Sequence, residues 1–179
     1  DDDKDEQGAP YIVMELLRGV DLAALLKRQG ALVPTVLVRV LIQAARGVAA
    51  AHAQGVIHRD IKPANLFLSV TPGDPRVTVK VCDFGVAKRL FDEVSDQATH
   101  ELTRTGGMLG SPMYMSPEQA QSAKNVDHRT DIWSLGISLF EGLSARRPWD
   151  DRTALGQIIV AICTVPVPAL QELAPWVEP

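Results

Sequence analysis

Two rhythms of apolar and polar positions run through this chain. Between residues 35 and 54, apolar side chains recur at 36, 37, 40, 41, 44, 45, 48 and 49, which paints one broad stripe along a long helix. Pro34 precedes the stretch and Gly55 follows it, a proline suited to a first helical turn and a glycine suited to the residue past the last. "DLAALLKRQG" predicts a shorter helix, with Asp21 as N-cap and Gly30 closing the leucine pattern. "TDIWSLGISLFEGLS" reads as a buried helix behind a Thr-Asp start, and residues 153–163 as one more. Strand formers crowd "YIVMEL" (Tyr11 to Leu16), "NLFL" and "VTVKVCDF", and the turn signal "TPGDP" separates the last two. Residues 86–117 are polar, rich in glycine and proline, and weakly periodic, so they read as one long loop of the functional kind. "PVPALQELAPWVEP" near the end is irregular. A few strands first and helices afterwards make an α+β, mostly helical architecture.

Composition narrows the function classes. With 179 residues the chain has room for one domain and a sizeable core. Against 18 Lys and Arg stand 22 Asp and Glu, a net charge of -4, and no basic cluster suggests a nucleic-acid partner. Two cysteines, Cys82 and Cys163, are too few for a disulfide scaffold and suit a reducing compartment. No apolar run is read as long enough for a membrane segment, and the acidic start "DDDKDEQ" does not suit a signal peptide. That acid run is either a tag remnant or a native surface loop. The chain reads as cytoplasmic, a domain or a piece of one.

One stretch breaks the rhythm. "GVIHRDIKPANLFLS" (Gly55 to Ser69) sets His58, Arg59, Asp60, Lys62 and Asn65 between apolar flanks. It matches H-R-D-x-x-x-x-N at every fixed position. "DFG" follows at 83–85, "SPE" at 116–118 and "DIWSLG" at 131–136. A lone "DFG" is weak, whereas four motifs in this order are specific. In them the sequence resembles the eukaryotic-type Ser/Thr protein kinase family, most closely its bacterial members, across essentially the whole chain.

The resemblance implies a fold, a reaction and its residues. The fold is a protein-kinase-like large (C-terminal) lobe over residues 21–179, with the last small-lobe strand and hinge at 10–20 and an activation segment at 83–118. The small lobe is largely absent, since no G-x-G-x-x-G loop or V-A-I-K lysine occurs. Phosphoryl transfer needs placed charge around the phosphates and an acceptor for the hydroxyl proton. Asp60 is then the catalytic base, and Lys62 a cation near the transferred group. Asn65 and Asp83 are hard oxygen donors for Mg²⁺. Met14 becomes the gatekeeper of the ATP pocket, Glu15 and Leu17 backbone partners of adenine, and Phe67 either its floor or plain core. Asp21 either reaches the ribose or only caps its helix. His58 and Phe84 resemble two members of a stacked apolar column, and Asp131 a buried anchor for the catalytic-loop backbone. His52 reads as ordinary packing, and Cys82 as a small hydrophobe rather than a reactive thiol.

Regulation follows the same likeness. Arg59 has no acidic partner in its own loop and, with Lys88, suits a phosphate on Thr103 or Thr105, while Ser111 stands where relatives hold a Thr. Arg146 and Arg147 do not match the arginine that pairs with the Glu118 position. The implied partners are Ser/Thr-bearing protein substrates, ATP, and a second copy of the kinase in a homodimer for autophosphorylation. The chain by itself is expected to be inactive. The rival reading is a non-catalytic, kinase-like binding or regulatory module.

Overall fold

Local chemistry decides most of the elements. In the structure, a computed structural model describing residues 13–84, 112–122 and 126–178, Asp21 ends strand β1 (Gly19–Asp21) and caps helix α1 (Leu22–Gln29). Its Oδ1 accepts the Ala24 N–H at 2.8 Å, and Gly30 at φ 73° closes the helix. Helix α2 (Pro34–Ala53) follows with proline in its first turn. Strands β2 (Leu66–Val70) and β3 (Val77–Val81) form a hairpin, and the three strands make an antiparallel sheet in the order β1-β2-β3. Farther along the chain come α3 (Pro117–Gln121), α4 (Arg129–Ser144), α5 (Leu155–Thr164) and the one-turn α6 (Leu170–Leu173).

The core lies where α2 crosses α4 and the sheet. Leu22, Leu37, Ile61 and Leu66 are fully buried there, with Val40, Ala44 and Val48 from the inner face of α2. The helices meet closely at Gly142, where an added Cβ would stand 2.4 Å from a methyl of Leu37, so that position excludes even alanine without repacking. A second cluster of Met113, Tyr114, Ile137, Trp149, Ile158 and Ile162 joins α4 and α5 to the turn before α3.

Four expectations need correction. Of the strand read at Tyr11 to Leu16, Tyr11 and Ile12 lie outside the described residues, and Val13 to Leu16 form no strand and are exposed, Leu16 at 89%; β3 reaches them only through the Lys80 side chain, and without backbone pairing a strand leaves its hydrogen bonds unmade. The buried stripe of α2 is narrower than its apolar spacing, with Val36, Ala45 and Ala49 exposed. By length and composition α2 does qualify as a membrane span, because its valines and alanines sit on all sides. Its inner face, however, is core, and Arg39 and Arg46 lie on its exposed side. Finally, α3 and α6 form where the residue pattern predicts no helix.

Candidate active site

The polar stretch is a loop pinned to the core at every second or third residue. His58, Ile61, Pro63, Asn65 and Leu66 are buried, whereas Arg59, Asp60 and Lys62 between them are half-buried. A 3₁₀ turn at Pro63–Asn65 leads into β2. The apolar and small members hold the loop down so that the charged ones face outward.

Asp131, fully buried in the first turn of α4, fixes the backbone beneath. Its Oδ2 accepts the His58 N–H at 2.9 Å and its Oδ1 the Arg59 N–H at 2.8 Å. The His52 Nε2 lies 2.7 Å from Oδ2, and a carboxylate can only accept, so Nε2 carries the hydrogen. The reading of His52 as ordinary packing is thereby corrected. Arg59 sits in the left-handed region at φ 66°, a strained setting for a non-glycine residue. His58 is tied at both ring nitrogens. Nε2 is 2.8 Å from the Cys82 carbonyl, and Nδ1 accepts the Asp60 N–H at 3.3 Å. A carbonyl accepts only, so His58 is the neutral Nε2–H tautomer.

On this base the polar groups converge. Lys62 Nζ lies 2.6 Å from Asp60 Oδ2. Asn65 Nδ2 donates to the Asp60 carbonyl at 2.8 Å and to Oδ2 at 3.2 Å. Asp60 Oδ1 and Asn65 Oδ1 have no hydrogen-bond partner among the described residues. Asp83 follows β3, and the Cys82 N–H bonds to the Asn65 carbonyl at 2.9 Å, so its backbone stands beside Asn65. Asp83 is exposed, also left-handed at φ 63°, and Phe84 after it packs on the His58 ring at 4.6 Å. Burial pushes the Cys82 thiol above its ordinary range, with the Asp83 charge adding to the effect; a reactive thiolate is disfavoured.

The remaining candidates are placed differently. Phe67, half-buried and second in β2, is paired in register with Asp21 on β1 and Lys80 on β3. Lys80 pairs with Glu15 at 3.0 Å. Met14 is 76% exposed, and Leu17 is half-buried. Gly85, Lys88, Thr103, Thr105 and Ser111 lie outside the described residues. Arg147 pairs with Asp150 at 2.7 Å.

Tyr114 and Glu141, which the sequence reading does not single out, also meet. Tyr114 donates to Glu141 Oε2 at 2.5 Å. Burial pushes the Glu141 carboxyl above its ordinary range, against the lowering effect of the Tyr114 bond and Arg147. The sign follows from linkage: stability from this group is present below the ordinary value of 4.5 and is lost as pH rises through the higher folded value. Glu141→Gln keeps an acceptor for Tyr114 without the charge. The variant is expected to lose less thermal stability than the parent between acidic and neutral pH, and parallel melting curves for the two would contradict that origin.

A helical body, a small antiparallel sheet and an H-R-D loop held from below by a helix aspartate define a protein kinase domain. The chain belongs to that family, which matches residues 4–175. It is 39% identical over 151 residues to the serine/threonine-protein kinase pkn3 of Myxococcus xanthus, covering 84% of this chain and 27% of that protein. Against PknB of Mycobacterium tuberculosis the identity is 38% over 140 residues, or 78% of this chain and 21% of the other. PknA of Corynebacterium glutamicum is 39% identical over 156 residues, 87% and 30% respectively. The chain thus spans less than a third of these bacterial relatives.

Proposed function

We propose that this chain is the catalytic-loop portion, the large lobe with its hinge, of a bacterial Ser/Thr protein kinase. The observation that carries the reading is the convergence of Lys62 and Asn65 on one oxygen of Asp60. Asp60 Oδ1 is left to accept the proton of a substrate Ser or Thr hydroxyl as that oxygen attacks the γ-phosphorus of ATP. Lys62 offsets negative charge beside the attacked group. Asn65 has its amide N–H turned to Asp60, which leaves Oδ1 without a hydrogen-bond partner among the described residues, and Asp83 adds carboxylate oxygens. Such hard donors fit Mg²⁺, and no group of three or more His, Cys, Asp or Glu among the described residues forms a closed metal cage. Two such donors fall short of a six-oxygen shell, which phosphates and water would complete. When bound, Mg²⁺ neutralises charge on the phosphates. Phe67, Asp21 and the Met14–Leu17 stretch border the side assigned to the nucleoside, although capping already uses Asp21 Oδ1. The domain is placed in the cytoplasm, where ATP and protein substrates are at hand.

The test is a transfer assay with Mg-ATP, a general Ser/Thr protein substrate and the full parent chain. Phosphoserine or phosphothreonine is the expected product; a parent that binds partners but transfers no phosphate would favour the non-catalytic module. The isolated 179-residue chain is expected to be inactive. It holds no glycine-rich loop or strand lysine to position the phosphates, and positioning supplies roughly 7–11 kcal/mol of such barriers.

Regulation belongs to the same reading. Arg59 is half-buried and its Nε has no hydrogen-bond partner among the described residues, which makes its guanidinium the candidate cation for a phosphothreonine. In the active parent, phosphate is expected on Thr103 or Thr105. Replacing both with Ala is expected to lower activity while the melting temperature holds. An unmodified segment by mass spectrometry in fully active enzyme would refute this.

A further inference from the structure

Gln119 stands on α3, sixty positions along the chain from the loop, yet its side chain reaches the loop backbone. Its Nε2 donates to the Arg59 carbonyl at 2.8 Å. That carbonyl accepts only, which fixes the amide's orientation and turns Oε1 toward Thr130. Thr130 Oγ1, fully buried, must therefore donate to Oε1 at 3.0 Å and accept from Ser116 Oγ at 2.8 Å. Ser116, also fully buried, accepts in turn the Gln119 N–H at 3.3 Å. Every hydrogen in this relay has one direction, running from Ser116 through Thr130 and Gln119 to Arg59. It ends on the peptide between Arg59 and Asp60, whose N–H is held at the other side by His58 Nδ1. The preceding peptide N–H belongs to Asp131. The left-handed turn at Arg59 is thus held between two peptide planes, and Gln119 holds the carbonyl of the one that carries Asp60.

We propose that Gln119 is a positioning residue: by holding the Arg59 carbonyl it sets the direction in which Asp60 presents its carboxylate, and it couples α3, through Ser116 and Thr130, to that aim. The inference rests on the phosphotransfer reading of Asp60. The bonds of Gln119 run to Arg59, Thr130 and Ser116 within the protein, so its loss is expected to act on turnover rather than on nucleotide binding.

The experiment uses the full parent kinase, with kcat expressed per molecule that binds a non-hydrolysable ATP analogue, so that any unfolded fraction drops out. Gln119→Glu keeps the shape and the Thr130 bond but sets an oxygen against the Arg59 carbonyl. Its kcat is expected to fall about tenfold, as for a lost transition-state interaction, with the KM for ATP unchanged. Thr130→Val, which frees Oε1, is expected to lower kcat in the same direction by less. A Gln119→Glu enzyme that loses only melting temperature, or raises the KM for ATP at constant kcat, would overturn the positioning role. Asp60→Asn run alongside separates the two readings. If it abolishes transfer while Gln119→Glu is normal, the Gln119 inference alone fails. If Asp60→Asn turns over normally, the phosphotransfer reading fails and takes the inference with it.

Discussion

Asp60→Asn in the parent kinase is expected to reduce phosphate transfer by about 10²–10⁴-fold, the range for removal of a positioned general base. The substitution is close to isosteric, and both of its neighbours remain. Lys62 Nζ, 2.6 Å from Oδ2, and Asn65 Nδ2, 3.2 Å away, can still bond to an amide oxygen. The Asn65 bond to the Asp60 carbonyl is untouched. The loop should therefore keep its shape, with a melting temperature near that of the parent, while the proton acceptor is gone. Loss of rate at constant stability is the signature. Near-normal turnover would remove Asp60 from the chemistry altogether.

The largest expected loss of stability follows from Asp131→Ala. Removing this carboxylate strands the backbone N–H groups of His58 and Arg59 and the ring N–H of His52, and it empties space at a fully buried position. Deleting one partner of a buried charged network costs about 3–5 kcal/mol. For a domain of this size that corresponds to a melting temperature lower by roughly 6–20 °C. His52→Ala should cost less, since His52 makes one of the three bonds and is 15% exposed at its side chain. An Asp131→Ala protein melting within a degree or two of the parent would mean that another group carries the loop. Activity should fall as well, because the left-handed Arg59 would lose the bond that holds its N–H.

What the sequence disclosed was whatever a short window can hold. Asp21 and Gly30 delimit α1 by their own chemistry, and the hairpin followed from strand formers on either side of "TPGDP". The H-R-D loop was legible because its polar residues are neighbours in sequence as well as in space. The pairs that pin it are distant: Arg59 and Asp131 are 72 residues apart, and Gln119 and Arg59 are 60. Neither spacing leaves a periodic trace. Helix α3 had a local signal that went unused, since Ser116 caps it, Pro117 opens it and Glu118 sits in the first turn. Within the family resemblance the same stretch carries only the "SPE" motif. Val13 to Leu16 failed for the opposite reason: strand-forming side chains make a strand only beside another strand.

The β2–β3 hairpin separates two jobs that its sequence runs together. Its inner end, where the Cys82 N–H meets the Asn65 carbonyl, fixes how far Asp83 stands from Asn65. Its outer end, from Thr71 to Arg76, is a turn whose Arg76 and Asp74 bond mainly to each other. The ladder between them, from the Leu66–Val81 pair to the Val70–Val77 pair, insulates one end from the other. The tip is therefore a permissive point of insertion. A fluorophore-bearing loop or an affinity peptide spliced in there would ride on the kinase as a passenger, reporting its location without altering the spacing of the two residues assigned to the metal.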